Sequence, residues 1–146
     1  MSDSDQTIKI TTEQFDQIMD ERLPFGRMLG LRLETITEEY VVMRAEVDQQ
    51  HLRPGGTVAG PVMMGLADAA VYALILSRIG PVELAVTTNL SINFLRKPKP
   101  ADLLARASML KLGKRLAIAE ASIYSQTLDS EPVAHVTATY SIPPQT

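Results

Sequence analysis

Asp68 is an isolated carboxylate in an apolar segment. Between Thr57 and Ser77 it is the only side chain with ordinary acidity or basicity. A carboxylate in such surroundings costs free energy unless it is hydrogen-bonded or paired. It could be a structural acceptor for backbone groups, a facing hydroxyl or a neighbouring subunit. It could equally be a base or nucleophile in a partly dry cleft, able to activate water or attack an acyl group.

The Gly60-Pro61 junction lies shortly before Asp68 and is typical of a helix start. The unpaired N–H groups and the dipole of such a start can stabilise an oxyanion. The rise of an α-helix places Asp68 about 10 to 12 Å further along the axis, so a thioester and a water molecule would fit between the two features. A Gly-Pro pair that merely enters a helix remains the simpler alternative.

Composition predicts a single domain over residues 1–146, with residues 1–11 flexible. The chain is 45% apolar and carries a net charge of −3, which gives no general attraction for nucleic acid or an anionic membrane. The N-terminus is acidic and lacks a secretory pattern, and no uncharged apolar run reaches the length of a membrane span. We therefore expect a cytoplasmic protein.

Cysteine and histidine content limits the available chemistry. There is no cysteine, and the two histidines, His51 and His135, are far apart in the sequence. Thiol chemistry is excluded, and an all-protein metal site would depend mostly on scattered carboxylates. We expect no metal and no cofactor. Neither histidine is a favoured catalytic candidate, although His51 has the better claim.

Periodicity and turn signals predict an α+β domain in which one antiparallel sheet surrounds one long helix. The long helix is apolar on nearly every side, which is typical of a helix enclosed by protein. The predicted elements are helix 12–22, strands 29–36 and 40–47, helix 61–78, and strands 84–95, 103–112, 115–127 and 132–142.

Two segments resemble a known family. HLRPGGTVAGPVMMGLADAA, at residues 51–70, and TTNLSINFLRKPKPADLLARASMLKLGKR, at residues 87–115, are similar to hotdog-fold acyl-CoA thioesterases of the phenylacetyl-CoA and 4-hydroxybenzoyl-CoA type. The similarity extends over about residues 28–142. It implies a hotdog fold, homodimers that join two sheets edge to edge, with or without further pairing into tetramers, and active sites at the dimer interface.

The resemblance also implies roles for individual residues. Asp68 matches the carboxylate that activates water or attacks the thioester, and Gly60 matches the glycine whose N–H polarises the thioester carbonyl. Thr87 matches a hydroxyl that orients water, on a strand expected to face the helix of the partner subunit. Thr88 is the adjacent alternative.

The chain departs from the family pattern at two places. Arg53 stands where relatives usually have an asparagine, and Ala59-Gly60-Pro61 stands where they have His-Gly-Gly. Arg53 could pair with Asp68 or bind substrate, and Pro61 removes one oxyanion donor. A non-catalytic acyl-CoA binding protein, or a structural oligomer, therefore remains an alternative to the favoured thioesterase. Acyl dehydratases of this fold are disfavoured, because no histidine lies in or beside the helix.

Basic and apolar side chains could complete a substrate site. Two sets of basic residues could hold the phosphates of CoA, although solvated turn residues are the simpler explanation. An acyl tunnel could be lined by helix and strand residues that would otherwise be core. The basic candidates are Arg96, Lys97 and Lys99, with Lys111, Lys114 and Arg115; the tunnel candidates are Met63, Met64, Tyr72 and Phe94.

Overall fold

The computed structural model describes residues 8–145, which form six strands in one sheet, one long helix and two short helices before the sheet. The predicted order of elements is confirmed, and each predicted boundary lies within two residues of the observed one. The elements are α1 (Thr12–Arg22), α2 (Pro24–Met28), β1 (Leu31–Ile36), β2 (Tyr40–Ala45), a 3-10 turn (Gln49–His51), α3 (Gly60–Ile79), β3 (Val86–Phe94), β4 (Leu103–Leu112), β5 (Leu116–Ser125) and β6 (Ala134–Ser141).

Helix α1 begins with a capping box. The Thr11 side chain accepts a hydrogen bond from the Gln14 N–H, and the Gln14 side chain accepts one from the Thr11 N–H. Both donors would otherwise lack partners at a helix start. Helix α2 follows with Pro24 at its first position, and it was not predicted because five residues carry no readable helical period.

The segment that precedes α1 is attached to the domain. The sequence predicted flexibility over residues 1–11, of which residues 1–7 lie outside the described part. For the remainder the prediction is wrong, because the Lys9 N–H donates to the Ser77 carbonyl oxygen at 2.7 Å and Ile10 is buried in the core.

The sheet is antiparallel throughout, with strand order β1-β2-β4-β5-β6-β3. Strand β3 is therefore an edge strand although it lies in the middle of the sequence. Its first residue, Val86, is level with Ser141 and, one strand further, with Leu116. Its last residue, Phe94, is level with Ala134. These pairs define two opposite ends of the sheet.

Helix α3 packs on one face of the sheet. Its residues Leu66, Ala70 and Leu74 are fully buried, and alternate alanines on β5, at 117, 119 and 121, belong to the same core and leave room for the helix. The helix has the length and mean hydropathy, 1.6, of a membrane span. However, 67% of that apolar stretch is buried within the protein, as is usual for a core helix.

One face of α3 is not covered by its own sheet, which corrects the prediction of an enclosed helix. Pro61, Met64, Gly65, Asp68 and Ala69 are exposed or half-buried, and their spacing places them on a single face. The face is apolar except for Asp68. A carboxylate here is therefore accessible from outside the core.

A sheet that wraps around one long central helix is the hotdog fold. The fold class that the sequence predicted is confirmed.

Candidate active site

The Asp68 carboxylate is held by two hydroxyl donors. Thr87 Oγ1 donates to Asp68 Oδ1 at 2.7 Å, and the Tyr140 hydroxyl donates to the same oxygen at 2.6 Å. Hydrogen bonds to an ionised carboxylate are stronger than neutral ones and fix its orientation. Within residues 8–145 no group donates to Asp68 Oδ2. One carboxylate oxygen is thus anchored, and the other is left for a ligand.

Tyr140 was not predicted as a site residue. It is 3% exposed, its hydroxyl also lies 3.0 Å from the Asp68 carbonyl oxygen, and its ring stacks on Tyr72 at a centroid distance of 6.1 Å. Burial raises the pKa of Tyr140 well above its usual value, and the charge of Asp68 and the hydrogen bond to it raise it further. Tyr140 therefore stays a neutral donor to Asp68 at ordinary pH.

The two threonines of β3 have different surroundings. Thr87 meets Asp68 of its own chain. Thr88 lies at an irregularity in the pairing of β3 with β6, and its hydroxyl donates to the Thr139 carbonyl oxygen at 3.2 Å. Thr88 is exposed and does not line the cavity beside Asp68.

Asp68 lies at the polar end of a cavity of about 260 Å³. The cavity extends towards the N-terminal helices, and most of its lining is apolar. Three residues that the sequence predicted for the site line this cavity, namely Asp68, Thr87 and Tyr72. The lining residues are Phe15, Met19, Leu23, Phe25, Gly26, Leu29, Leu31, Gly65, Asp68, Ala69, Tyr72, Glu83, Ala85, Val86, Thr87 and Tyr140.

Gly60 is the first residue of α3, outside this cavity. No backbone carbonyl within residues 8–145 accepts a hydrogen bond from its N–H. The next residue, Pro61, has no N–H, and the Val62 N–H is already bonded to the Ala59 carbonyl oxygen at 3.1 Å. Among the described residues, the Gly60 N–H is thus the one free donor of this first turn. A Cβ at Gly60 would lie 3.3 Å from the Phe94 ring, at the far end of β3 from Thr87.

Arg53 does not neutralise Asp68. Its side chain is exposed and donates to the Pro54 carbonyl oxygen at 3.3 Å. Among the described residues, which include both Arg53 and Asp68, no salt bridge joins the two side chains. Met64 is exposed one helical turn before Asp68 and lines no part of the cavity. The structure therefore separates both residues from the carboxylate within a single chain.

His51 has a structural role. Its buried ring lies with Nε2 2.8 Å from the Met28 carbonyl oxygen at the end of α2, so Nε2 carries the proton and donates. Nδ1 accepts from the Asp48 N–H, and the His51 carbonyl oxygen accepts from the Ala59 N–H at 2.9 Å. His135 contacts Glu120 on the sheet. In the described part of the chain, no group of three or more His, Cys, Asp or Glu residues could hold a metal ion.

Comparison with known families identifies the class. Residues 55–131 match the family model of the thioesterase superfamily. The chain belongs to the thioesterase superfamily. The matched region contains Gly60, Asp68 and Thr87 together with β4 and β5. It includes most of the sheet and the whole of α3.

The proteins to which this chain is similar are consistent with its membership of the thioesterase superfamily. A structure named "putative thioesterase" from Silicibacter sp. TM1040 is 42% identical, with a TM-score of 0.83 and coverage of 94% of each chain. A mutant of the phenylacetic acid degradation protein PaaI from Thermus thermophilus is 28% identical, with a TM-score of 0.71 and coverage of 82% of this chain and 99% of that one. "Putative esterase PA0474" of Pseudomonas aeruginosa is 32% identical over 60% of this chain and 66% of its own length. These similarities support acyl-thioester hydrolysis in general terms.

The basic residues that could hold the phosphates of CoA lie in two separate places. Arg96 and Lys97 follow β3 at the Phe94 end of the sheet, and Arg96 forms a salt bridge with Glu131 at 3.4 Å. Lys114 and Arg115 lie in the β4–β5 turn at the opposite end, level with Thr87, and Arg115 donates to the Ile142 carbonyl oxygen. One chain alone does not bring the two sets together.

We predict that Tyr140→Phe lowers the free energy of unfolding by about 1.5–3 kcal/mol at pH 7, because it removes a buried hydrogen bond to a carboxylate. Above about pH 10 the difference narrows, since tyrosine ionises in unfolded wild type while the raised pKa of Tyr140 keeps the folded form protonated. Urea unfolding of both proteins from pH 7 to 11 measures this difference. An unchanged stability at pH 7 would show that the hydrogen bond makes no net contribution.

Proposed function

We propose that this protein hydrolyses acyl-CoA thioesters and that Asp68 is its catalytic general base or nucleophile. The observation that carries the proposal is the Asp68 arrangement: one oxygen is fixed by Thr87 and Tyr140, and the other is free beside an apolar cavity. Such an oxygen can receive a proton from water at the moment of attack, or can attack the acyl carbon itself.

With Asp68 as a general base, the hydrolysis consumes one water molecule and no other reactant. Asp68 Oδ2 takes a proton from water while the water oxygen bonds to the thioester carbon and the carbonyl becomes an oxyanion. When the tetrahedral species collapses, the C–S bond breaks and the sulfur leaves as the CoA thiolate, which takes the proton back from Asp68 Oδ2 to become the thiol and restores the carboxylate. The products are a carboxylic acid and CoA. Thr87 and Tyr140 keep the base oriented throughout, because both remain neutral donors to Oδ1.

The Gly60 N–H is the oxyanion donor in this proposal, and it would come from a second copy of the chain. In one chain Gly60, at the start of α3, lies near Phe94, whereas Asp68, about 12 Å further along the same helix, lies near Thr87 at the other end of β3. Two β3 edges that pair antiparallel about a two-fold axis reverse these ends. The Gly60 end of one copy then approaches the Asp68 end of the other.

The surface of β3 supports such pairing. Edge strands expose unpaired backbone groups, and natural proteins usually protect them with charge, proline or a covering element. Along β3 itself there is no charged residue or proline, and Val86 and Phe94 are 58% and 50% exposed. Met64, on the uncovered face of α3, adds further exposed apolar surface. These features fit a homodimer with two composite sites.

The same pairing would join the basic residues. Arg96 and Lys97 belong to the Gly60 end of the sheet, and Lys114 and Arg115 belong to the Asp68 end. In an antiparallel pair each site receives one set from each copy. Positive charge from both chains could then hold the phosphates of CoA.

A non-catalytic acyl-CoA binding protein is the rival function. It would be favoured if Arg53 neutralised Asp68, and within one chain the two side chains do not pair. The absent N–H at Pro61 is the feature that still favours slow turnover.

Asp68→Asn is expected to reduce turnover at least about a hundredfold, because an amide cannot accept the proton from water. Thiol release from short-, medium- and long-chain acyl-CoAs and from aryl acyl-CoAs measures turnover, with circular dichroism as the check on folding. Wild type without activity on every substrate would favour the binding protein, and an active Asp68→Asn protein would remove Asp68 from the mechanism.

Gly60→Pro is expected to lower kcat by about 10²–10³, the usual cost of one lost oxyanion donor. Proline is tolerated at the first position of a helix, so the main change is the missing N–H. Gly60→Ala is the matched control, because it adds a comparable Cβ contact with Phe94 and keeps the N–H. Equal activities of the two variants would show that the donor is not used.

A mixture of Asp68→Asn and Gly60→Pro chains tests the composite site. In a mixed dimer one site carries both defects and the other carries neither, so unfolding and refolding an equal mixture should restore about a quarter of wild-type activity. If both residues act within one chain, every site keeps one defect and no activity returns. Thiol release before and after the exchange distinguishes these results.

A further inference from the structure

The cavity beside Asp68 is walled by the two N-terminal helices. Phe15 and Met19 of α1 are fully buried and line it, and Phe25 of α2 lines it while remaining 62% exposed, which places its ring at the mouth. Phe15 packs edge-to-face on Tyr72 of α3, with ring centroids 5.8 Å apart. The apolar stripe of α1 therefore faces a space that is continuous with the catalytic carboxylate.

Two glycines determine the direction of this cavity. A Cβ at Gly65, three residues before Asp68, would lie 2.4 Å from Leu29 Cδ1, so the Leu29 side chain occupies the space above that turn of α3. A Cβ at Gly26 would lie 2.8 Å from Met19 Sδ. Gly65 and Leu29 both line the cavity, whereas Met64 and the first residues of α3 do not. The cavity runs instead under α1 and α2.

The volume sets a limit on the occupant. Since an apolar cavity of about 150 Å³ holds benzene, which has six heavy atoms, a cavity of 260 Å³ holds about nine to ten heavy atoms. An octanoyl or a phenylacetyl group has this size. A palmitoyl group has about twice as many heavy atoms and would have to leave the cavity past Phe25.

The lining favours a neutral occupant. It is mostly apolar, and burying an unpaired charge against apolar groups costs free energy. The Glu83 carboxylate on the lining is already paired with Arg22, at 3.5 Å.

We infer that α1 and α2 form the acyl-binding wall of this thioesterase and restrict it to neutral, apolar acyl groups of up to about nine heavy atoms. The inference rests on the proposed function for the identity of the ligand. Phe25 and Ala69 are the specificity-determining residues: Phe25 closes the outer end, and Ala69, next to Asp68, leaves the inner end wide. Of the acyl tunnel that the sequence suggested, Tyr72 lines this cavity, whereas Met63, Met64 and Phe94 do not.

Binding of CoA thioethers tests the inference without any turnover. Calorimetry would compare S-ethyl-, S-butyl-, S-octyl-, S-dodecyl- and S-phenethyl-CoA. In wild type, affinity should rise about fourfold for each buried methylene up to octyl, from the usual value per methylene group. S-dodecyl-CoA should bind no more tightly than S-octyl-CoA, and S-phenethyl-CoA should bind about equally. Affinity that still rises steadily to dodecyl would overturn the limit.

Three variants locate the wall. Ala69→Leu should move the limit from about eight carbons to about five, because it adds three heavy atoms to the cavity. Phe25→Ala should weaken S-octyl-CoA at least about fivefold and leave S-ethyl-CoA unchanged. Met28→Ala, on the same short helix but outside the cavity, is the matched control and should change neither. If Phe25→Ala behaves like Met28→Ala, α2 is not the wall.

Different results would contradict the proposed hydrolase function and the proposed acyl-binding wall. A protein that shows the size limit in thioether binding but releases no thiol from any acyl-CoA would overturn the hydrolase and keep the acyl wall. A protein that hydrolyses palmitoyl-CoA and octanoyl-CoA equally, and binds long thioethers increasingly tightly, would keep the hydrolase and overturn the wall.

Discussion

The solvation of one carboxylate governs the arrangement of this molecule. Asp68 is the only charged residue of α3 from Gly60 to Ser77, and it is tolerated because two hydroxyl groups replace part of its lost water. Those hydroxyls come from the edge strand β3 and from its neighbour β6, so the carboxylate ties the helix to one side of the sheet. The same hydrogen bonds that offset the cost of placing a charge near the core also orient the proposed catalytic group.

The sheet and the long helix could be predicted because local sequence determines them directly. Alternating apolar residues indicate strands, and the turns KPKPAD and LGKR separate them. Asp68 was identifiable for a related reason, since an isolated charge in an apolar helix needs an explanation. Gly60 was suggested by the Gly-Pro helix start before Asp68, and the resemblance to known thioesterases added Thr87, which no periodicity would have distinguished.

Tyr140 and the acyl wall were missed because both depend on how distant elements pack. Tyr140 occupies an inward position of β6, where alternate residues are buried, and its ring looked like ordinary core. The available signal was the phenolic hydroxyl, since a buried hydroxyl needs a partner. Phe15 and Met19 likewise form a normal apolar stripe. The cavity beneath them becomes evident only from how α1, α2 and α3 pack against one another around Gly26 and Gly65.

His51 joins two parts of the site that were described separately. Its imidazole bonds the last turn of α2, which walls the cavity, and its carbonyl oxygen bonds Ala59, which immediately precedes the Gly60 donor. In the proposed dimer, the wall of one site and the oxyanion donor of the other site thus share a single anchor. A shift of the wall by a poorly fitting acyl group would reach, through this ring, the helix start that serves the neighbouring site, so the two proposed sites would be mechanically coupled.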